Sequence, residues 1–220
     1  MQTSLVKEIA KALREREIPP AFTPEEARLL LQVLGRVAEG QPVPLEEVAR
    51  VVSTLQMPPD DGIALIRKVS ELDPHDHVVG IFGLSQKSHP HRFMVDGRTF
   101  STWCAWDTLF LPGLLKRPAR VESVCPTTKS PIRAFVTPEA VEHVEPPDAV
   151  ISIVVPRPTK KGRESVEEIW TTLCHFVHYF SSADAASDWF RGKGQDATLF
   201  SVADAHQVGR LAFQDLLTYG

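Results

Sequence analysis

Cysteine and tyrosine are scarce in this chain of 220 residues, with three of the first and two of the second. The cysteines, Cys104, Cys125 and Cys174, lie 21 and 49 residues apart, and no Cys-x-x-Cys pair occurs. That odd, wide spacing offers no disulfide framework and lacks the closely paired ligands of a structural zinc site. An excess of one charge is missing too. Against 28 acidic residues stand 24 basic ones, a net charge of -4, which supplies no field for a polyanion and excludes a nucleic-acid binder acting by bulk charge. Long apolar runs are absent. Val78 to Leu84 and Ala149 to Val155 are the longest, far short of the roughly 20 residues a membrane span needs. Met1 to Glu17 carries Lys7, Glu8, Lys11, Arg14, Glu15, Arg16 and Glu17, so it does not read as a signal peptide. The chain is expected in the cytosol, with no membrane or nucleic-acid partner. There its thiols serve as nucleophiles or soft metal ligands.

What is present is a globular composition, 43% hydrophobic and 24% charged, enough to bury a core. The first eighty residues read as helices: Ser4 to Glu17, a second opened by Thr23-Pro24-Glu25-Glu26, Pro44 to Thr54, and Pro58 to Leu72. The last two have the rhythm of a helix-turn-helix. Residues 1–80 hold 9 basic and 13 acidic side chains, and Asp60 and Asp61 stand where phosphate contacts would be made, against a DNA-binding role. After Pro74 the texture turns to strands: His77 to Leu84, Arg92 to Val95, a turn at Asp96-Gly97, and Arg98 to Thr102. A short helix should begin near Trp103. Strands follow at Ala119 to Cys125, Ile132 to Val136 and Ala149 to Val155, with Thr137-Pro138-Glu139-Ala140 opening a turn or short helix between the last two. Pro156 to Glu164 reads as a surface loop, Trp170 to Phe180 as β-type, Ala183 to Arg191 as helix, Thr198 to Val202 as strand and Ala203 to Leu217 as a closing helix. The expected class is α+β: a helical, winged-helix-like module over 1–80, then a mixed β-sheet catalytic module with short flanking helices over 81–220.

The chemistry concentrates in Trp103-Cys-Ala-Trp-Asp107. On a helix opening near Trp103, Cys104 and Asp107 share a face, the dipole lowers the thiol pKa, and the carboxylate can take the proton the thiol sheds. Partly desolvated beside thiolates, Asp107 should titrate above the ~3.9 of a free aspartate. A lone Cys is also often a small buried hydrophobe, and Asp107 could simply serve the helix dipole. A second thiol adds weight: on a strand, Cys174 and His178 point to one face and His175 to the other. Trp103, Trp106 and Phe110 are either core or the walls of an apolar pocket.

These blocks resemble the organomercurial (alkylmercury) lyase family. The likeness rests on Trp-Cys-Ala-Trp-Asp-Thr-Leu-Phe-Leu-Pro at 103–112, Ala-Arg-Val-Glu-Ser-Val-Cys at 119–125, Val-Glu-Pro at 144–146, and Cys-His-Phe-Val-His-Tyr-Phe-Ser-Ser from Cys174 with Asp188-Trp189 after it. It runs from about residue 20 to 215. The resemblance implies that Cys104, Asp107 and Cys174 are catalytic and bind mercury as substrate and product, and that Cys125 is structural. His175 stands where some members carry a second cysteine. The implied reaction is protonolysis of the carbon–mercury bond to a hydrocarbon and Hg(II), without a cofactor. External thiols would release the product, either small cytosolic thiols or the cysteines of a mercuric reductase.

Two other readings compete. One is a winged-helix metal-sensing regulator or zinc-binding protein using the cysteines with His175 and His178. The pairs His75/His77 and His89/His91, in polar proline-flanked loops, read as solvated surface rather than ligands. The other is a thiol hydrolase with Cys174 as nucleophile and His178 as base, which strand geometry would hold ~13 Å apart.

Overall fold

A computed structural model of the chain describes residues 2–155, 165–193 and 196–219. The expected loop Pro156 to Glu164 lies outside the described residues. Four helices come first: α1 (Gln2–Glu15), α2 (Pro24–Val37), α3 (Leu45–Thr54) and α4 (Pro59–Val69). The start of α2 is a full capping box, the Glu26 N–H donating to Thr23 Oγ1 at 3.2 Å and the Thr23 N–H to Glu26 Oε2 at 2.8 Å. Its apolar stripe, including Leu30, Val33 and Leu34, is fully buried. Helices α3 and α4 pack closely because Gly62 has no side chain; a Cβ there would come within 2.5 Å of Val52 Cγ2.

The fourth helix is shorter than its sequence suggested. Ser70–Leu72 is not its last turn but strand β1, pairing antiparallel with β2 (Val78–Ile81). The strand conformation carries the Glu71 carboxylate inward to hydrogen-bonding partners, which a helical turn continuing to Leu72 would not supply. The sheet therefore begins within the first eighty residues. It continues through β3 (Leu84–Ser85), β4 (His91–Val95), β5 (Arg98–Thr102), β6 (Ala119–Val124), β7 (Pro131–Val136) and β8 (Val141–Glu145), in the order β1-β2-β3-β5-β4-β6-β7-β8, with every pair antiparallel. The expected strand from His77 to Leu84 is split by a turn at Phe82-Gly83, where both residues have positive φ, 51° and 86°. The hairpin at Asp96-Gly97 also has two positive φ values, 49° and 74°, as a tight turn between twisted strands requires.

A second sheet, in the order β10-β9-β11, is built from β9 (Val150–Ile153), β10 (Tyr179–Phe180) and β11 (Thr198–Ser201). Around the two sheets lie α5 (Asp107–Leu115), α6 (Val166–Thr172), α7 (Ala183–Phe190), α8 (Val202–Ala212) and α9 (Gln214–Leu217). Three expectations are corrected here. Helix α5 opens at Asp107, not near Trp103. The closing helix breaks at Phe213, whose ring stacks on Phe110 at 3.9 Å between centroids. The β-type reading of Trp170 to Phe180 fails over most of its length: α6 covers Val166–Thr172 and a single 3-10 turn covers Cys174–Phe176. A capping box between Ser165 and Glu168 nucleates α6 and overrides the β-branched and aromatic residues behind it.

One hydrophobic cluster joins the front helices, both sheets and α8. Trp103, Trp106 and Phe110 all belong to it, and Trp170 packs against it. Trp106 donates its indole N–H to the Ala205 carbonyl at 3.1 Å and packs on Phe110 and Phe213, so Trp106 and Phe110 are core.

Candidate active site

The turn between β5 and α5 carries Cys104. It is tied down residue by residue: the Trp103 N–H donates to the Gly83 carbonyl at 3.0 Å, and Thr102 Oγ1 donates to the Cys104 carbonyl at 2.9 Å. The Asp107 carboxylate reaches back to accept the Cys104 N–H at 2.6 Å. Thr108 Oγ1 donates to the Ala105 carbonyl and bonds the Tyr179 hydroxyl, both at 2.7 Å. Cys174 opens the 3-10 turn, which hangs from β9 through Ser152: its Oγ donates to the Phe176 carbonyl at 2.7 Å and accepts the His178 N–H at 3.0 Å. The two cysteine segments are clasped directly by the Ala105 N–H donating to the Val177 carbonyl at 3.2 Å.

The result brings Cys104 Sγ, Cys174 Sγ and a carboxylate oxygen of Asp107 within 4.8 Å of one another. All three side chains are buried, Cys104 completely and the other two to 6% exposure. Burial pushes the Asp107 carboxyl up to about 7, against the hydrogen bonds from Cys104 and a weaker pull from nearby His89. Burial also pushes the Cys104 thiol well above its ordinary range, helped by its hydrogen bond with Cys174 and the Asp107 charge. For Cys174 the hydrogen bond with Cys104 pulls down, burial and Asp107 push up, and the net shift is upward.

The sequence reading placed Asp107 above an ordinary aspartate, as the structure does, but placed the Cys104 thiol on the wrong side. Cys104 stands three residues before α5 rather than in its first turn, so the helix dipole acts on Asp107 and burial governs the thiol. His175 and His178 do not join the site. His178 Nε2 is engaged with the His175 carbonyl at 2.9 Å, and among the described residues no cluster of three potential metal ligands includes either histidine. Cys125 lies apart, fully buried in the β6–β7 turn, its sulfur accepting the Thr128 N–H at 3.4 Å.

Three contributors were not legible. Gly83, with φ of 86°, gives Asp107 its room: a Cβ there would lie 2.2 Å from Asp107 Cγ. Its signal, a glycine inside an apolar run, marks a break or a close approach. His91, read as solvated, is buried at 2% exposure with Nδ1 2.8 Å from Ser123 Oγ, and burial brings its pKa down to about 3. His89 is half-buried and paired with the buried Glu71. Alternation with Phe93 and Val95 along β4 is the pattern that marks His91 as inward.

An α+β scaffold that sequesters two thiols around a protonatable carboxyl defines a thiol-dependent protein suited to a soft metal centre. A family model described as alkylmercury lyase matches residues 84–214. The alkylmercury lyase of Streptomyces lividans is 39% identical over 191 residues, covering 87% of this chain and 83% of that protein. That of Pseudomonas putida is 32% identical over 224 residues, covering 98% and 95%. Among solved structures, one titled as the mercury-bound form of MerB2 matches with a TM-score of 0.74 over 96% of this chain and 98% of its own, at 20% identity, a likeness of fold. The chain belongs to the alkylmercury lyase family and is an enzyme.

Proposed function

We propose that this chain cleaves the carbon–mercury bond of organomercurials by protonolysis, with Cys104 and Cys174 taking mercury and Asp107 carrying the proton. The observation that supports it is the convergence of two thiols and one carboxyl within 4.8 Å. Soft thiolates suit a soft cation. One thiol displaces the outgoing ligand X of R–Hg–X and leaves its proton on X. The second thiol passes its proton to Asp107 as its sulfur closes on mercury. Two sulfur donors push electron density toward carbon, and the carbon–mercury electron pair takes the proton from Asp107. R–Hg–X and two thiols thus become R–H, HX and Hg(II) held by two thiolates, with no change of oxidation state and no cofactor.

The electrostatics fit this sequence of events. A thiol held upward by burial keeps its proton until mercury displaces it. A carboxyl near 7 both accepts and donates at neutral pH. Release of Hg(II) then requires exchange onto outside thiols, either small cytosolic thiols or the cysteines of a mercuric reductase, which places the enzyme in the cytoplasm. Cys125 is structural in this scheme.

The test is to supply phenylmercury or methylmercury with excess thiol and measure benzene or methane. Formation of the hydrocarbon, lost in Cys104→Ala, Cys174→Ala and Asp107→Ala but kept in a folded Cys125→Ser, is the expected result. Hydrocarbon formation that survives loss of either Cys104 or Cys174 overturns the proposal.

A further inference from the structure

From Trp103, next in sequence to Cys104, runs a line of packed side chains to which the proposed reaction assigns no step. Trp103 meets the Trp170 ring edge-on at 5.9 Å between centroids, and Trp170 meets His89 in the same way at 5.3 Å. Trp170 sits on α6, four residues before Cys174. His89 is held in turn, its Nε2 2.9 Å from Glu71 Oε1, while the other Glu71 oxygen accepts from Ser85 Oγ at 2.7 Å. Glu71 is 5% exposed and lies before the family-matched residues 84–214. Sinking a carboxylate is costly unless it is well bonded; here both oxygens are engaged, one by Ser85 and one by His89.

The indoles carry a second observation. Both Trp103 Nε1 and Trp170 Nε1 are buried with no hydrogen-bond partner among the described residues. Buried donors are ordinarily satisfied. Two open ones on adjoining rings, one of them next in sequence to a reactive thiol, suit a wall completed by a guest. An aryl group answers both features, packing edge to face with the rings and offering its π face to an N–H donor.

We propose that Trp170, with Trp103, forms the wall that receives the organic group of the substrate and favours aryl over alkyl groups, and that the Glu71–His89 pair is a positioning device holding that wall in place. This rests on the reading that Cys104 and Cys174 take the mercury. The specificity residue is Trp170, and Glu71 acts only through His89.

The experiment compares steady-state cleavage of phenylmercury and methylmercury, with excess thiol, by the full chain and its Trp170→Ala, Trp170→Phe, Glu71→Gln and Trp170→Ala/Glu71→Gln variants. The expected result is a phenylmercury KM raised about tenfold more than the methylmercury KM in Trp170→Ala, the strength of an aromatic contact, and largely restored in Trp170→Phe. Glu71→Gln should move the same ratio about threefold in the same direction, and should add nothing once Trp170 is gone. Equal changes for both substrates in Trp170→Ala overturn the specificity role. A Glu71→Gln shift that persists in the double variant, or no shift at all, overturns the positioning role. Should Trp170→Ala not fold, Trp170→Leu, which fills the site without a ring, takes its place alone and with Glu71→Gln under the same criteria. A wild-type chain that releases neither benzene nor methane refutes the reaction itself, whereas an active chain with an unmoved ratio refutes only this inference.

Discussion

Cys104 and Cys125 are both closed off from solvent, but Cys104 lies deep between packed elements and Cys125 just beneath an exposed turn, and their surroundings drive them in opposite directions. At Cys104, burial, the neighbouring thiol and the Asp107 charge all oppose a thiolate. At Cys125 burial opposes it too, but hydrogen bonds from Thr128 and Ser181 outweigh that and bring the thiol down to about 7. What a buried thiol becomes is decided by its donors together with its depth. In the proposed reaction, which must deliver a proton to carbon, a protonated thiol brings that proton to Asp107 itself.

The contrast can be broken at its strongest point first. Asp107→Asn keeps an acceptor for the Cys104 N–H but carries no proton, so hydrocarbon release should fall on the order of 10³-fold, the scale of general acid catalysis, while titration with Hg(II) still finds both thiols. Gly83→Ala attacks the same carboxyl through the space it needs. A methyl 2.2 Å from Asp107 Cγ, on a residue with φ of 86°, must displace it, and a displaced catalytic group costs about 10²-fold, measured as hydrocarbon released per folded enzyme.

Stability against pH sharpens the comparison, because the two regions should slope in opposite directions. Asp107 is raised from 3.8 to about 7, so between those values the folded state binds more protons than the unfolded one. Its stability therefore declines as pH rises through that window and levels off above it. Relative to wild type, Asp107→Asn should be more stable at pH 8 than at pH 4 by on the order of 4 kcal/mol, read from denaturant unfolding at the two values. Cys125, lowered from 9.0 to about 7, favours its thiolate in the fold, so its contribution grows as pH climbs through that range. Cys125→Ser should cost about 1 kcal/mol, the scale of one hydrogen bond, and more at pH 9 than at pH 7, with hydrocarbon release unchanged.

Local chemistry made much of this legible. The Thr23 to Glu26 capping box and the Asp96-Gly97 turn act within four residues, so their residues alone announce them. That Cys104 and Asp107 stay together was legible, since a thiol and a carboxyl three apart keep company in a turn as well as in a helix, whereas the meeting with Cys174 was implied only by the resemblance to the lyase family. The 3-10 turn at Cys174 was not legible, because its side chains favour strands in isolation and only the capped helix before it dictates otherwise. Nor was the burial of Glu71, His89 and His91. A polar residue looks solvated until the partner that satisfies it is known, and Glu71 finds His89 18 residues away.

The clasp from Ala105 to Val177 joins main chain to main chain, so it is indifferent to the identity of the residues around it. Neighbouring side chains can be exchanged while the span between the two cysteine segments is preserved. The backbone thus fixes the spacing of the two thiols, and the side chains around them are left free to vary.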